Sequence, residues 1–131
     1  MREILFRGKR TDNDEWVEGF YQEYPEGYVH IQNTSNDWFP VIPKTVGQFT
    51  GLTDRSGKRI FEGDIIHCIT FGFERDEFTT EIKFGARSGV QGFYLSNGRN
   101  MFYFDQSDLT RFNDALVIGN IYDNPELLEK N

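Results

Sequence analysis

The sequence predicts an all-β fold with a minor helical part, built from short antiparallel strands that form a small barrel or sandwich. Two observations support this class. Aromatic residues make up 16% of the 131 residues, and aromatic side chains are enriched in strands. Short segments that alternate apolar and polar residues are also separated by turn-forming residues, including many of the 13 glycines.

The N-terminal half predicts hairpins that lead into an extended segment. A turn cluster at residues 11–15 separates the first two strands, and Pro25 with Gly27 marks the next turn. Residues that precede proline avoid the helical region, so the segment around Pro40 is extended. The predicted strands of this half cover residues 4–7, 16–21, 28–33, 38–43 and 45–50.

The C-terminal half predicts further strands and one short helix. Turns are expected at residues 53–57, 73–77 and 85–89, and Asn97-Gly98 is a hairpin signal. The expected strands cover residues 65–71, 78–84, 92–95, 101–104 and 116–122, and residues 107–113 form a short helix or a loop.

A short helix is expected to follow the last of these strands. Asn124 suits its N-cap, Pro125 its first position, and Glu126 complements the helix dipole. No repeat or linker interrupts the chain, which predicts a single domain over residues 1–131.

Composition restricts the cellular setting. The one cysteine, Cys68, excludes an internal disulfide and a multi-thiolate zinc site, and it is interpreted as a small buried apolar residue. A reducing, cytoplasmic compartment fits this usage. No run of 18 apolar residues exists, so we expect no membrane span.

Charge argues against general nucleic-acid binding. The net charge is −7, and phosphate binding needs an excess of Lys and Arg. Residues 1–60 hold 8 basic and 9 acidic side chains, whereas residues 61–131 hold 6 and 12. Any contact with DNA or RNA would therefore use the first half of the chain.

Three segments of the sequence together suggest a known family. They are FRGKR at 6–10 with WVEG at 16–19, TVGQFTGLTD at 45–54 with GK at 57–58 and IFEGDII at 60–66, and VIGNIY at 117–122 with NPELL at 124–128. In their order and spacing these segments resemble the YopX-like proteins of phages and prophages. This resemblance implies an all-β fold with an SH3-like barrel component, a phage or prophage gene product, and no assigned reaction or catalytic residue.

The sequence contains no complete catalytic or phosphate-binding motif. Gly57-Lys58 lacks the glycine spacing and the hydroxyl residue of a P-loop, and Ser88 lacks the flanking glycines of a nucleophile elbow. His30 and His67 have no third ligand at a suitable spacing, so no metal and no cofactor is expected. These absences favour a protein without enzymatic activity, although distant residues could still assemble a site.

Two basic clusters and one acidic residue are the candidate binding residues. The basic clusters are interleaved with aromatic residues, a pattern that can face phosphate, although salt-bridged surface is the simpler interpretation. Glu62-Gly63-Asp64 is interpreted as a turn, with a positive φ at Gly63 and backbone hydrogen bonds to Asp64. The candidates are Arg7, Lys9, Arg10 and Trp16, then Arg55, Lys58 and Arg59, and finally Asp64.

Three functions are compatible with the sequence, and the aromatic content favours one of them. Twenty-one aromatic residues exceed what one small core is expected to hide, and exposed aromatic surface is typical of protein interfaces. We therefore favour an interaction module that forms a homo-oligomer or binds an unknown phage or host protein. The alternatives are a nucleic-acid-binding β-barrel that uses the basic clusters, and a small hydrolase or ligand-binding enzyme with Asp64 and His67 or Glu62 in an acidic cleft.

Overall fold

The computed structural model describes residues 5–70, 76–87, 90–96, 101–103 and 115–129. The chain divides into two compact units, Met1–Phe49 and Thr50–Asn131. The boundary falls within one strand, so this strand contributes residues to both units.

The first unit is an antiparallel sheet with strand order β4-β3-β2-β1-β5. Backbone hydrogen bonds from Ile42 N to Lys9 O and from Thr11 N to Pro40 O join the end of β4 to the end of β1, so the sheet curls strongly. Its elements are β1 (Phe6–Lys9), β2 (Trp16–Glu23), β3 (Val29–Gln32), β4 (Trp38–Val41), a 3-10 helix (Pro43–Thr45) and the first residues of β5 (Gly47–Thr53).

Alternation along these strands gives the curled sheet an inner and an outer face. Side chains that lie directly opposite in an antiparallel pair share a face, so the register assigns each residue to one of the two. The inner face holds a small aliphatic core of Val17, Val29, Ile31 and Val41. The outer face therefore receives the residues that alternate with this core.

The second unit contains two three-stranded antiparallel sheets, β12-β7-β8 and β11-β10-β9, and the pair β5-β6. Its core is chiefly aliphatic and draws on several strands: Leu52, Ile60, Ile66, Cys68, Ile82, Phe93, Leu95 and Ala115. Its remaining elements are β6 (Arg59–Phe61), β7 (Asp64–Thr70), β8 (Asp76–Glu81), β9 (Lys83–Arg87), β10 (Val90–Ser96), β11 (Met101–Tyr103), β12 (Leu116–Asn120) and a 3-10 helix (Pro125–Leu128).

The predicted all-β, antiparallel class is confirmed. The C-terminal helix is a single 3-10 turn with Pro125 at its start, but Asn124 does not cap it, because its Oδ1 accepts the Asn120 N–H instead. The described strands form no closed barrel, so the SH3-like component stays a prediction. The single domain also stays a prediction.

Two turn predictions have different outcomes. The turn predicted at residues 85–89 is wrong in its first part, because Gly85 pairs with Gly92 inside the β9–β10 ladder. The hairpin predicted around Asn97-Gly98 is supported by the antiparallel pairing of β10 with β11. Asn97 and Gly98 themselves, most of the predicted turn 73–77 and the segment 107–113 lie outside the described residues.

Candidate functional site

The first basic cluster begins as a stack on the outer face of the first unit. Lys9 pairs with Trp16 across β1 and β2, and Arg7 pairs with Glu18. The Arg7 guanidinium carbon lies 4.6 Å from the Trp16 ring centroid, and Lys9 Nζ lies 5.8 Å from it. Cations at these distances are attracted to the face of the indole, so the sheet brings these three candidates together. Arg7 is buried, so it offers less of its side chain to a ligand than an exposed arginine would.

Arg10 is separated from Arg7 and Lys9 by the strand geometry. It extends the alternation of β1 to the inner side, where its guanidinium carbon lies 4.2 Å from the Phe39 ring centroid. Its Nε and Nη2 also donate to the two carboxylate oxygens of Asp12, at 3.0 and 2.7 Å. The hydrogen bond from Arg10 holds the pKa of Asp12 below its usual value.

The second basic cluster occupies the turn between β5 and β6. Arg55, Lys58 and Arg59 are all exposed there, whereas Asp54 points inward and is buried. Asp54 Oδ1 accepts hydrogen bonds from the Ser56 N–H and hydroxyl and from the Lys58 N–H. The turn predicted at residues 53–57 is thus confirmed, and its three basic residues follow a structural aspartate in the sequence.

Asp54 also joins the turn to strand β12. Its Oδ2 accepts the Val117 N–H at 2.9 Å, although the two residues are 63 positions apart. Burial alone would raise the pKa of Asp54, but the hydrogen bonds from Val117, Ser56 and Lys58 outweigh burial and hold the pKa below its usual value. The TD motif at residues 53–54 is therefore explained by a long-range structural contact.

The EGD motif forms the turn between β6 and β7, as predicted. Gly63 has φ +92°, and the Asp64 carboxylate accepts the Phe61 N–H at 2.7 Å. Asp64 is almost completely buried. Because Asp64 and His67 are an odd number of residues apart on β7, they face opposite sides of the strand. The structure therefore does not bring them together in an acidic cleft.

Sequence reasoning missed a chain of three polar side chains on β7 and β8. His67 Nδ1 lies 3.1 Å from Thr79 Oγ1, and His67 Nε2 lies 2.9 Å from Glu77 Oε1. The order hydroxyl, imidazole, carboxylate is the order used to activate a nucleophile. However, His67 lies directly opposite Thr79 and diagonally opposite Glu77 in the β7–β8 pair, so strand pairing alone accounts for both contacts. A cross-strand contact that stabilises the hairpin is the simpler role.

A second constellation lies on the outer face of the first unit. Phe20 pairs with Gln32 across β2 and β3, and Gln32 pairs with Trp38 across β3 and β4, so these three side chains form one row. Both aromatic rings are well exposed. The signal in the sequence was the alternation of residues 16–20 and 28–33, but the row depends on strand register, which the sequence did not predict.

The remaining expectations concern Cys68, metals and membranes. Cys68 is buried, as predicted, and burial raises the pKa of its thiol to about 12. Within the described part of the chain, no three His, Cys, Asp or Glu side chains are placed to hold a metal ion. Nor does that part contain a helix of the length and apolar character that crossing a bilayer requires.

The exposed aromatic surface expected from the composition is present. Among the residues that the structure describes, six aromatic side chains expose more than a third of their area, five of them in the first unit: Phe20, Tyr21, Tyr24, Tyr28, Trp38 and Phe84. These exposed rings are not part of the core, which agrees with the chiefly aliphatic character of both hydrophobic clusters.

Comparison with known proteins gives a family and a similar fold. A crystal structure of protein EF1440 from Enterococcus faecalis has a TM-score of 0.58 and 27% sequence identity, and the alignment covers 98% of this chain and 100% of that chain. No curated protein matches the sequence. The family model described as YopX protein matches residues 5–129, which include nearly all of both compact units. The resemblance found in the three sequence segments is thus confirmed, and the chain belongs to the YopX protein family.

Proposed function

We propose that this chain is a non-enzymatic interaction module of a phage or prophage, which self-associates and acts in the cytoplasm of the bacterial host. The motifs shared with the family support the first part of this proposal. Asp54, Gly63 and Asp64, three polar or glycine residues of the shared segments, have structural roles, since they form turns and connect strands.

The observation that carries self-association is apolar surface on the second unit. Large hydrophobic side chains that expose more than a third of their area favour association, because contact with a second copy removes that area from water. Closed symmetric dimers are the commonest way in which one chain covers its own surface. Within the described part of this unit, the large hydrophobic side chains exposed to this extent are Phe84, Ile118, Leu127 and Leu128.

The geometry of β12 favours contact through side chains over strand addition. Among the described strands, β12 lies at the edge of its sheet. Ile118 is the extra residue of a β-bulge between Val117 and Gly119. A bulge disrupts the pairing edge of a strand and turns a side chain outward. The Ile118 side chain is therefore available for an apolar contact, whereas its backbone is poorly placed for hydrogen-bonded pairing with a strand of a second copy.

Solution mass tests self-association. The wild-type chain is expected to sediment at a multiple of 15.3 kDa, and the double variant I118K/L128K at 15.3 kDa, because two buried ammonium groups would oppose the contact. The matched control Y28K/T34K adds the same charge to exposed positions of the first unit and keeps the wild-type mass. A wild-type protein that stays monomeric at high micromolar concentration overturns self-association.

The phage role and the location have separate tests. If the gene belongs to a prophage programme, its transcript rises on prophage induction and the protein fractionates with the host cytoplasm. Expression at a constant level, independent of induction, contradicts the phage role without affecting the result on self-association.

A further inference from the structure

We infer that the outer face of the first unit carries a binding site for a neutral oligosaccharide, formed by Phe20, Gln32 and Trp38. This inference goes beyond self-association and does not depend on it. It rests on the strand register, on the exposure of two rings, and on the absence of formal charge from one strip of this face.

The two rings are placed on one surface by hydrogen-bonded pairing. Phe20 lies opposite Gln32, and Gln32 lies opposite Trp38, so all three side chains point outward. Two strand spacings separate the rings by about 10 Å. Phe20 is 59% exposed and Trp38 is 44% exposed. Each ring therefore offers an open face, and the separation allows each to take its own sugar unit.

The side chain between the rings is an amide. Gln32 Nε2 donates to Asn36 Oδ1 over 3.5 Å, a long and weak bond that a better acceptor can replace. An amide both donates and accepts, which suits hydroxyl groups that do the same. A pyranose has an apolar C–H face and an edge of hydroxyl groups. The two aromatic rings match the apolar face, and the amide matches the hydroxyl edge.

The next row of the face contains no Asp, Glu, Lys or Arg and has one buried polar atom without a hydrogen-bond partner. Gln22 lies opposite His30, which lies opposite Pro40. His30 Nδ1 is buried and has no hydrogen-bond partner, and the His30 ring contacts the edge of Tyr24 at a centroid distance of 5.1 Å. Buried polar atoms normally have a partner, so His30 Nδ1 is an exception, but its burial keeps it out of direct contact with a ligand on the open surface.

The charge pattern selects a neutral ligand over nucleic acid. On this face Arg7 and Lys9 lie at the Trp16 end, where Glu18 opposes Arg7, and the rows of Phe20 and Gln22 carry no formal charge. The turns around the face are acidic, at Asp12, Asp14, Glu15 and Asp37. A polyanion would meet these carboxylates without a row of free cations to replace its counterions, whereas a neutral glycan has no charge to repel.

Tryptophan fluorescence provides the test, since Trp16 and Trp38 are the two tryptophans of the chain. In the W16F variant, Trp38 becomes the reporter. Titration with neutral hexasaccharides of glucose, N-acetylglucosamine, mannose or galactose is expected to shift its emission to the blue with at least one of them. F20A, Q32L and, by calorimetry, W38A should each weaken that binding by about tenfold, which corresponds to ~1.4 kcal/mol.

The control variant is Y28A, which removes an equally exposed aromatic ring from the hairpin loop and should bind as the wild type does. All the substituted side chains are partly or well exposed, and far-UV circular dichroism confirms that each variant folds. Three results would overturn the inference: no binding to any of the four glycans, salt-dependent binding of oligo(dT) or oligo(U) instead, or a change in oligomeric mass in F20A and W38A.

Discussion

The Asp54 carboxylate gives the sharpest test of how the second unit is held together. It accepts three hydrogen bonds within its own turn and a fourth from Val117 on β12. In D54A the Val117 N–H loses its acceptor in a partly buried position, which costs about 1–3 kcal/mol, and the two turn N–H groups, which water can reach, add about 0.5 kcal/mol each. The expected total is a loss of about 3 kcal/mol.

Urea unfolding followed by circular dichroism measures this loss, which is large against the 5–15 kcal/mol typical of a whole domain. The melting temperature should fall by roughly 10 °C. D54N, which keeps one acceptor oxygen, should lose less than D54A. The matched control D37A removes an exposed aspartate and the same charge, and it should stay within about 0.5 kcal/mol of the wild type.

The pH dependence of stability provides a second test of the hydrogen bonds made by Asp54. Folding lowers the pKa of Asp54 below its usual value of 3.8. The ionised carboxylate therefore stabilises the protein above pH 3.8, and this stabilisation is lost as the pH falls through the lower pKa of the folded state. The stability difference between wild type and D54A should therefore narrow below pH 4. A D54A variant as stable as D37A at neutral pH, or a difference that is constant with pH, would refute the reasoning.

Three further outcomes follow from the structure. G119A should lose about 1–3 kcal/mol in thermal unfolding, because its Cβ would lie 2.6 Å from Asn124 Oδ1, and a loss below 0.5 kcal/mol would contradict that packing. The Cys68 thiol should react with a disulfide reagent only after unfolding, since it is buried and its pKa is about 12, so immediate reaction of the native protein would be inconsistent with its position. If residues 1–131 form one domain, two probes should give one coincident urea transition: the fluorescence of Trp16 and Trp38, which lie in the first unit, and circular dichroism. Two different midpoints would show two domains.

Local patterns predicted most strands, although the strand expected at residues 78–84 is divided between β8 and β9, which belong to different sheets, and they predicted the turns unevenly. The alternation at residues 28–33 and the run at 65–71 became β3 and β7, because one or both faces of each strand are buried. Gly57 and Gly63 both have positive φ, as their turns require. Gly85 misled the prediction, because a glycine inside a strand gives the same local signal as a glycine in a turn.

The candidate site was less predictable, because it depends on which strands become neighbours. Arg7 and Lys9 were correctly associated with Trp16, since these residues lie on adjacent strands of one hairpin. Arg10 was grouped with them although alternation places it on the other side of the strand. The row of Phe20, Gln32 and Trp38 crosses three strands, and its members were never considered together.

The sequence by itself determined the fold class, the burial of Cys68 and the turns of the shared motifs, because period-two alternation and turn chemistry act within a few residues. Only the tertiary structure decided that Asp54 binds Val117 and that two aromatic rings share an outward row with an amide between them. The physical reason is that sheet register is set by packing between strands, and a shift of one residue would send every side chain of a strand to the opposite face.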